Sequence, residues 1–170
     1  MLDFAVTGLA RSRTAWFAAF LTDGISHCWH DWSVNVIEPS DYLKARVEGK
    51  QSGISDTGFW LLGQKAPEYA ARILVVHRDP WQVRKSVRRA FNVNADMTQA
   101  AARLHDVPGM HVSFNSLASH QTLAECFHYL TGRPADMNRV KLFADLNIQT
   151  AIGDQIIGAV TPEHFIMRNW

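Results

Sequence analysis

The sequence predicts a three-layer α/β fold in which a central, mainly parallel sheet is flanked by helices. Short apolar runs alternate with stretches of helical spacing along the chain, which is typical of βαβ units. Residues 72–77 read RILVVH, a continuous apolar run typical of a strand buried on both faces. The apolar run at residues 2–7 ends at a glycine and is followed by a helical pattern, which indicates a strand, a tight loop and a helix.

The remaining elements follow from apolar periodicity and from helix-boundary residues. Strands are expected at residues 2–7, 25–32, 72–77 and 110–114. Helices are expected within residues 39–50, 57–69, 79–92, 97–105, 117–131 and 136–146. Asp79 suits the N-cap of the helix that follows it, and Pro80 suits its first position. Ser55 or Asp56 is expected to cap the helix within residues 57–69.

Composition indicates one soluble globular domain over residues 1–170, with 47% hydrophobic and 19% charged residues. The formal net charge of +1 argues against binding to nucleic acid or to an acidic membrane, so any anion must be bound locally. The two cysteines, Cys28 and Cys126, are too few for a disulfide framework and are expected as buried thiols. No secretory signal is visible, so a cytoplasmic location is expected.

An anion site is predicted at the loop GLARSRT, residues 8–14, which joins the first strand to a helix. Backbone N–H groups and the helix dipole converge at such a turn. The loop departs from the nucleotide-hydrolase pattern G-x-x-x-x-G-K-[ST], because Arg13 stands in place of its glycine and Thr14 in place of its lysine. Taken alone, the loop is equally compatible with a structural turn that carries two solvated arginines.

A second segment, ILVVHRDPWQVRKS at residues 73–86, strengthens the prediction of an anion site. Arg78 follows the buried strand at its carboxyl end, where ligands bind in parallel sheets, and Ser86 lies about two helical turns further on. An arginine in this position can bind a phosphate with two hydrogen bonds. The alternative is that Arg78 pairs with Asp79.

The two segments together resemble the nucleotide-binding motifs of the P-loop sulfotransferase family, in particular its small bacterial- or phage-type members. Residues 10–16, ARSRTAW, are similar to the family's 5'-phosphosulfate loop, which commonly reads Pro-Lys/Arg-Ser-Gly-Thr-Thr-Trp. Arg78, Pro80 and Ser86 match the spacing of its 3'-phosphate motif. The resemblance implies a P-loop enzyme that uses 3'-phosphoadenosine 5'-phosphosulfate (PAPS) and releases adenosine 3',5'-bisphosphate.

The resemblance also implies roles for individual residues. Arg11 would contact the transferring sulfuryl group, and Ser12 and Thr14 would hold the 5'-phosphate. Trp16 would lie against the adenine face. Arg78 and Ser86 would bind the 3'-phosphate, and Arg13, which replaces the family glycine, would either point outward or add a donor to the anion.

A general base is expected after the second strand, where the sequence reads SHCWHDW at residues 26–32. The pKa of an unperturbed histidine suits a base at neutral pH, which favours His30. The family resemblance favours the carboxylate of Asp31. Both residues are candidates for the base. No metal is expected, because a strand would direct His27 away from Cys28 and His30.

The acceptor is unidentified, and the cleft is expected to be either open or completed by another subunit in a homo-oligomer. Four tryptophans, Trp29, Trp32, Trp60 and Trp81, are expected in the core or in the wall of the binding pocket. Two alternatives to a sulfotransferase are a P-loop kinase of small molecules, which the missing Gly-Lys-Ser/Thr disfavours, and a catalytically silent domain that binds a nucleotide or a partner.

Overall fold

A computed structural model describes residues 1–146 and the two short strands at 148–149 and 166–167. The strands are β1 Phe4–Gly8, β2 Ser26–His30, β3 Gln51–Asp56, β4 Ile73–His77, β5 Met110–Ser113, β6 Ile148–Gln149 and β7 Ile166–Met167. The α-helices are α1 Thr14–Leu21, α2 Pro80–Phe91, α3 Thr98–Leu104, α4 His120–Thr131 and α5 Met137–Ala144. Short 3₁₀ helices cover Trp32–Asn35, Pro39–Ala45, Phe59–Glu68 and Asn115–Ala118.

Strands β1 to β5 form one sheet in the order β2-β3-β1-β4-β5, and every neighbouring pair is parallel. Helices cover both faces of this sheet. The predicted three-layer α/β fold is therefore confirmed. The carboxyl ends of all five strands meet at one edge, which is where ligands bind in open parallel sheets. The predicted domain of residues 1–170 extends beyond the described residues.

The core lies in two layers because successive side chains of a strand point to opposite faces of the sheet. On one face, Phe4 and Val6 of β1 pack under α1, α4 and α5. On the other face, Ala5 of β1 packs with residues of α2, α3 and the Phe59–Glu68 helix. Strand β4 alternates in the same way, and this explains its unbroken apolar sequence.

Several sequence-based expectations are confirmed by the structure, and two are wrong. Cys28 and Cys126 are buried free thiols. The β3 strand was not expected, because its sequence QSGISD is mostly polar. Trp81 is also misassigned to the core or pocket wall, since it is 65% exposed on α2. Within the described residues, no helix is long and apolar enough to cross a membrane.

Candidate functional site

The loop between β1 and α1 has an unusual backbone conformation at both of its arginines. Arg11 has φ 65° and Arg13 has φ 67°, which places both residues in the left-handed region. Non-glycine residues in this region carry a cost of about 1 to 3 kcal/mol and cluster at functional sites. Gly8 opens the loop at the end of β1, where an added Cβ would lie 2.8 Å from the backbone oxygen of Val76. The loop is therefore closely packed against β4.

The structure explains how Arg13 can occupy the position where the sulfotransferase motif has glycine. Its backbone takes the left-handed conformation that glycine adopts without steric cost. Its side chain is held to one side by a hydrogen bond from Nη1 to the backbone oxygen of Leu117, at 3.0 Å. The guanidinium also lies 5.4 Å from the ring centre of Trp16 and 5.5 Å from that of Phe114. Arg13 therefore forms part of the cleft wall.

Ser12 and the start of α1 provide unpaired hydrogen-bonding groups beside these arginines. The Ser12 side chain is fully buried, and its Oγ has no hydrogen-bond partner among the described residues. No side chain in the described part of the chain caps the N-terminus of α1. A buried hydroxyl without a partner is unfavourable by about 1 to 3 kcal/mol, so this arrangement suits a ligand that supplies hydrogen-bond acceptors.

The two predicted phosphate-binding segments contact each other directly. The Nε of Arg11 donates a hydrogen bond to the Oγ of Ser86 on α2, at 3.2 Å. The Nη1 of Arg78 donates to the backbone oxygen of Arg11. The guanidinium of Arg78 also stacks on Phe114, 4.1 Å from the ring centre. Residues that are far apart in sequence thus form one continuous cationic surface at the carboxyl ends of β1 and β4.

Two arginines of this surface, Arg13 and Arg78, are partly buried and close to other positive charges. Neither Arg13 nor Arg78 forms an ion pair with a carboxylate of the described chain. Burial lowers the pKa of Arg78, and the nearby positive charges of Arg11 and Arg13 lower it further. The pKa of Arg13 is lowered by burial. Because arginine stays protonated at neutral pH, an anion bound here would relieve this mutual repulsion.

The two candidate bases lie side by side at the end of β2. The Nε2 of His30 is 3.2 Å from the Oδ2 of Asp31 and 3.4 Å from the Oγ1 of Thr14. The Oδ1 of Asp31 accepts hydrogen bonds from the backbone N and the Oγ1 of Thr57, both at 3.1 Å. The side chain of Asp31 is 35% exposed and that of His30 is 7% exposed. Burial lowers the pKa of His30, although the charge of Asp31 opposes this shift.

A cleft of about 640 Å³ brings most of the predicted site together. Eight of the nine predicted residues line it, namely Arg11, Arg13, Thr14, Trp16, His30, Asp31, Arg78 and Ser86. The ninth, Ser12, is buried beneath the loop. The volume lies within the range of about 300 to 1,000 Å³ that is typical of small-molecule sites. The cleft can therefore hold an anionic ligand of nucleotide size.

Trp16, which was expected to contact the adenine ring, is almost completely buried. It is only 1% exposed, and its Nε1 donates to the backbone oxygen of Phe143 at 2.8 Å. Its ring packs 4.7 Å from that of Phe20, centre to centre, and the guanidinium of Arg13 lies over it. The more accessible aromatic groups of the cleft are Phe91, which is exposed, and Phe114, which is partly buried. Contact between adenine and Trp16 stays a prediction.

Some residues of the cleft were not predicted from the sequence, and one near it has a structural role. Phe91 and Phe114 line the cleft, as does Thr57 beside Asp31. Asp56 is fully buried, and its Oδ1 accepts hydrogen bonds from the backbone N atoms of Gly58 and Phe59. The carboxylate thus binds the start of the Phe59–Glu68 helix, although the N-cap position itself is Gly58 and not Ser55 or Asp56. Phe114 follows directly after β5, and this position at a strand end was the signal available in the sequence.

No protein-family model, curated protein or solved structure matches the chain. The interpretation of the cleft therefore depends on the geometry and chemistry of its own residues, and the sulfotransferase resemblance stays a hypothesis drawn from two short motifs.

Proposed function

We propose that the cleft binds 3'-phosphoadenosine 5'-phosphosulfate and that the protein transfers its sulfuryl group to a hydroxyl or amine acceptor. The observation that carries this proposal is the contact between the two phosphate-binding segments. Arg11 in the loop after β1 donates to Ser86 on α2, and Arg78 after β4 donates to the backbone of Arg11. The two segments that resemble the 5'- and 3'-phosphate motifs are therefore adjacent, as one ligand with both groups requires.

The hydrogen-bonding groups of the cleft fit such a ligand. The Oγ of Ser12 and the Nε of Arg78 are buried and lack hydrogen-bond partners among the described residues. Both can donate to phosphate or sulfate oxygens. We assign Arg78 and Ser86 to the 3'-phosphate, and Ser12 and Thr14, with the start of α1, to the 5'-phosphate. When bound, PAPS supplies an activated sulfuryl group whose bond to the 5'-phosphate breaks during transfer.

Arg11 is the candidate for stabilising the charge that develops on the leaving phosphate oxygen. It lies in the anion loop, and its Nε contact with Ser86 fixes the guanidinium at the wall of the cleft. In group transfer of this kind the protein contributes mainly positioning and charge stabilisation. Loss of one such donor typically lowers turnover about 100- to 1000-fold.

The hydrogen-bond geometry favours Asp31 over His30 as the general base. A neutral imidazole that donates from Nε2 to the Asp31 carboxylate keeps no lone pair on that nitrogen, so it cannot take a proton there. Asp31 is the more exposed of the two and lines the cleft. We infer that Asp31 takes the acceptor's proton as the new bond to sulfur forms, and that His30 and Thr57 position its carboxylate.

The proposal is tested by incubating the protein with PAPS labelled with ³⁵S and a panel of phenols, alcohols and amines. The expected result is transfer of label to at least one acceptor, with equal formation of adenosine 3',5'-bisphosphate. Single-turnover transfer should fall about 100- to 10,000-fold in Asp31→Asn, because general-base catalysis contributes this range. It should fall less in His30→Gln, which removes a positioning residue.

Two outcomes would contradict parts of this account. Tight binding of PAPS without transfer to any acceptor would favour the catalytically silent domain. A larger defect in His30→Gln than in Asp31→Asn would reverse the assignment of the base. Glu125→Gln on α4 is a matched control for Asp31→Asn, because Glu125 does not line the cleft and its contact is with Gln121.

A further inference from the structure

Three histidines form a cluster on the opposite side of β4 from α1. His77 ends β4, and His111 lies in β5, where it pairs with Val75. Because side chains two residues apart share a face, His77 and His111 lie on the same face of adjacent parallel strands. His105 follows α3 directly. One nitrogen from each ring lies within 4.8 Å of the others.

The ring of His111 is oriented by the backbone so that one nitrogen points at His77. Its Nε2 is 2.9 Å from the backbone oxygen of Val107, which can only accept a hydrogen bond. His111 must therefore carry its proton on Nε2, which leaves the Nδ1 lone pair available. This Nδ1 lies 2.7 Å from the Nε2 of His77. A histidine whose second nitrogen is held by a backbone carbonyl is the usual arrangement around a protein-bound metal.

His105 completes the cluster from the exposed side. Its ring stacks on that of His77 with a distance of 4.3 Å between ring centres and an interplanar angle of 26°. Both His105 and His111 are exposed, and His77 is half-buried. Because His105 is exposed, rotation about its side-chain torsions can bring its nitrogen closer to the other two. Two nitrogens at tetrahedral angles on a zinc ion lie about 3.3 Å apart, given bonds of about 2.0 to 2.1 Å, so His77 and His111 need to separate only slightly.

We propose that His77, His105 and His111 bind one divalent transition-metal ion, with a remaining coordination position open to water. Imidazole donors suit zinc, copper and nickel, and three histidines with one open position form a recognised zinc-site arrangement. The sequence predicted no metal, and the proposed sulfotransfer does not use one. This inference therefore goes beyond the proposed function and does not depend on it.

The test is a titration of the full, tag-free chain with Zn²⁺ in competition with a chromophoric chelator at pH 7.5. The wild type should bind one ion with micromolar or tighter affinity. Loss of an outer-shell partner typically costs about 10- to 100-fold in metal affinity. His105→Ala and His111→Ala, which each remove a ligand, should weaken binding by at least this factor. Co²⁺ in place of Zn²⁺ should give the visible absorption of a four-coordinate site.

The controls separate metal binding from general effects of histidine loss. His120→Ala removes an exposed histidine outside the cluster and should leave zinc affinity unchanged. Because His77 is half-buried, His77→Ala is interpreted only if its circular dichroism spectrum matches that of the wild type. The variants at the exposed positions, His105→Ala and His111→Ala, decide the question in either case. Failure of the wild type to compete with the chelator would overturn the proposal. Equal losses in the His120 and His105 variants, or unchanged affinity in His105→Ala, would also overturn it.

Discussion

Replacement of Arg78 by alanine tests the assignment of the 3'-phosphate site. The Arg78 guanidinium is stacked 4.1 Å from the ring centre of Phe114, and its buried Nε has no hydrogen-bond partner among the described residues. This contact and the hydrogen bond from Nη1 to the backbone oxygen of Arg11 hold the guanidinium at the cleft, so binding requires little further ordering. A hydrogen bond between charged groups contributes about 1.5 to 3 kcal/mol. Arg78→Ala should therefore weaken adenosine 3',5'-bisphosphate binding roughly ten- to a hundredfold.

The assay is isothermal titration calorimetry with adenosine 3',5'-bisphosphate and, in parallel, with 5'-AMP. Since 5'-AMP lacks the 3'-phosphate, its affinity should change by much less than that of the bisphosphate. Arg78→Lys should give an intermediate loss, because it keeps the charge without the planar donor pair. Arg89→Ala, on the exposed face of α2, removes the same charge and should leave both affinities unchanged. Equal losses for the two nucleotides in Arg78→Ala would refute the assignment and would indicate that Arg78 only supports the loop.

Three further predictions concern stability, each measured as the free energy of unfolding by urea denaturation. Arg13→Ala should be less stable than Arg13→Gly by about 1 kcal/mol, because both lose the guanidinium but only glycine adopts φ 67° without steric cost; equal stabilities would contradict this. Stability should decrease as the pH falls below about 6.5, because burial lowers the pKa of His30 and the unfolded chain then binds a proton that the folded chain does not. His30→Gln should reduce this pH dependence, and an unchanged slope would count against it. Gly53→Ala should destabilise the fold by about 1 to 3 kcal/mol, since its Cβ would lie 2.0 Å from the Phe4 ring. Gly24→Ala, with no atom within 4 Å of its added Cβ, is the control, and similar costs at the two positions would contradict the packing argument.

The strands with continuous apolar sequence could be predicted, whereas β3 could not. Strand β4 reads ILVVH and is almost entirely buried, so sequence and environment agree. Strand β3 reads QSGISD, with Ile54 as its one large apolar residue, although five of its six residues are buried. Some of its polar groups are satisfied locally: the Oγ of Ser52 accepts from the backbone N of Val47 at 2.7 Å, and Asp56 accepts from the backbone N of Phe59. The Oγ of Ser55 is buried without a hydrogen-bond partner among the described residues. The pairing of Ser52 and Asp56 depends on loops that apolar periodicity does not reveal.

Most of the predicted cleft residues follow a strand at its carboxyl end or lie at the start of a helix, whereas Ser86 lies midway along α2. Parallel strand order then places such positions at one edge of the sheet, as for Arg11 and Arg78. The histidine cluster lacked any such local pattern. His77, His105 and His111 are separated along the chain and meet only through the register of β4 with β5 and the end of α3. Sequence spacing alone therefore gave no signal for this site.

The central claim is that the cleft recognises a nucleotide through its 3'-phosphate. The most direct measurement is calorimetric titration of the wild-type protein with adenosine 3',5'-bisphosphate and with ATP under the same conditions. We expect one site with at least tenfold tighter binding of the bisphosphate, because Arg78 and Ser86 supply donors for a 3'-phosphate and ATP carries no phosphate at that position. Equal or tighter binding of ATP would contradict the account and favour a small-molecule kinase, and absence of binding by either nucleotide would contradict both.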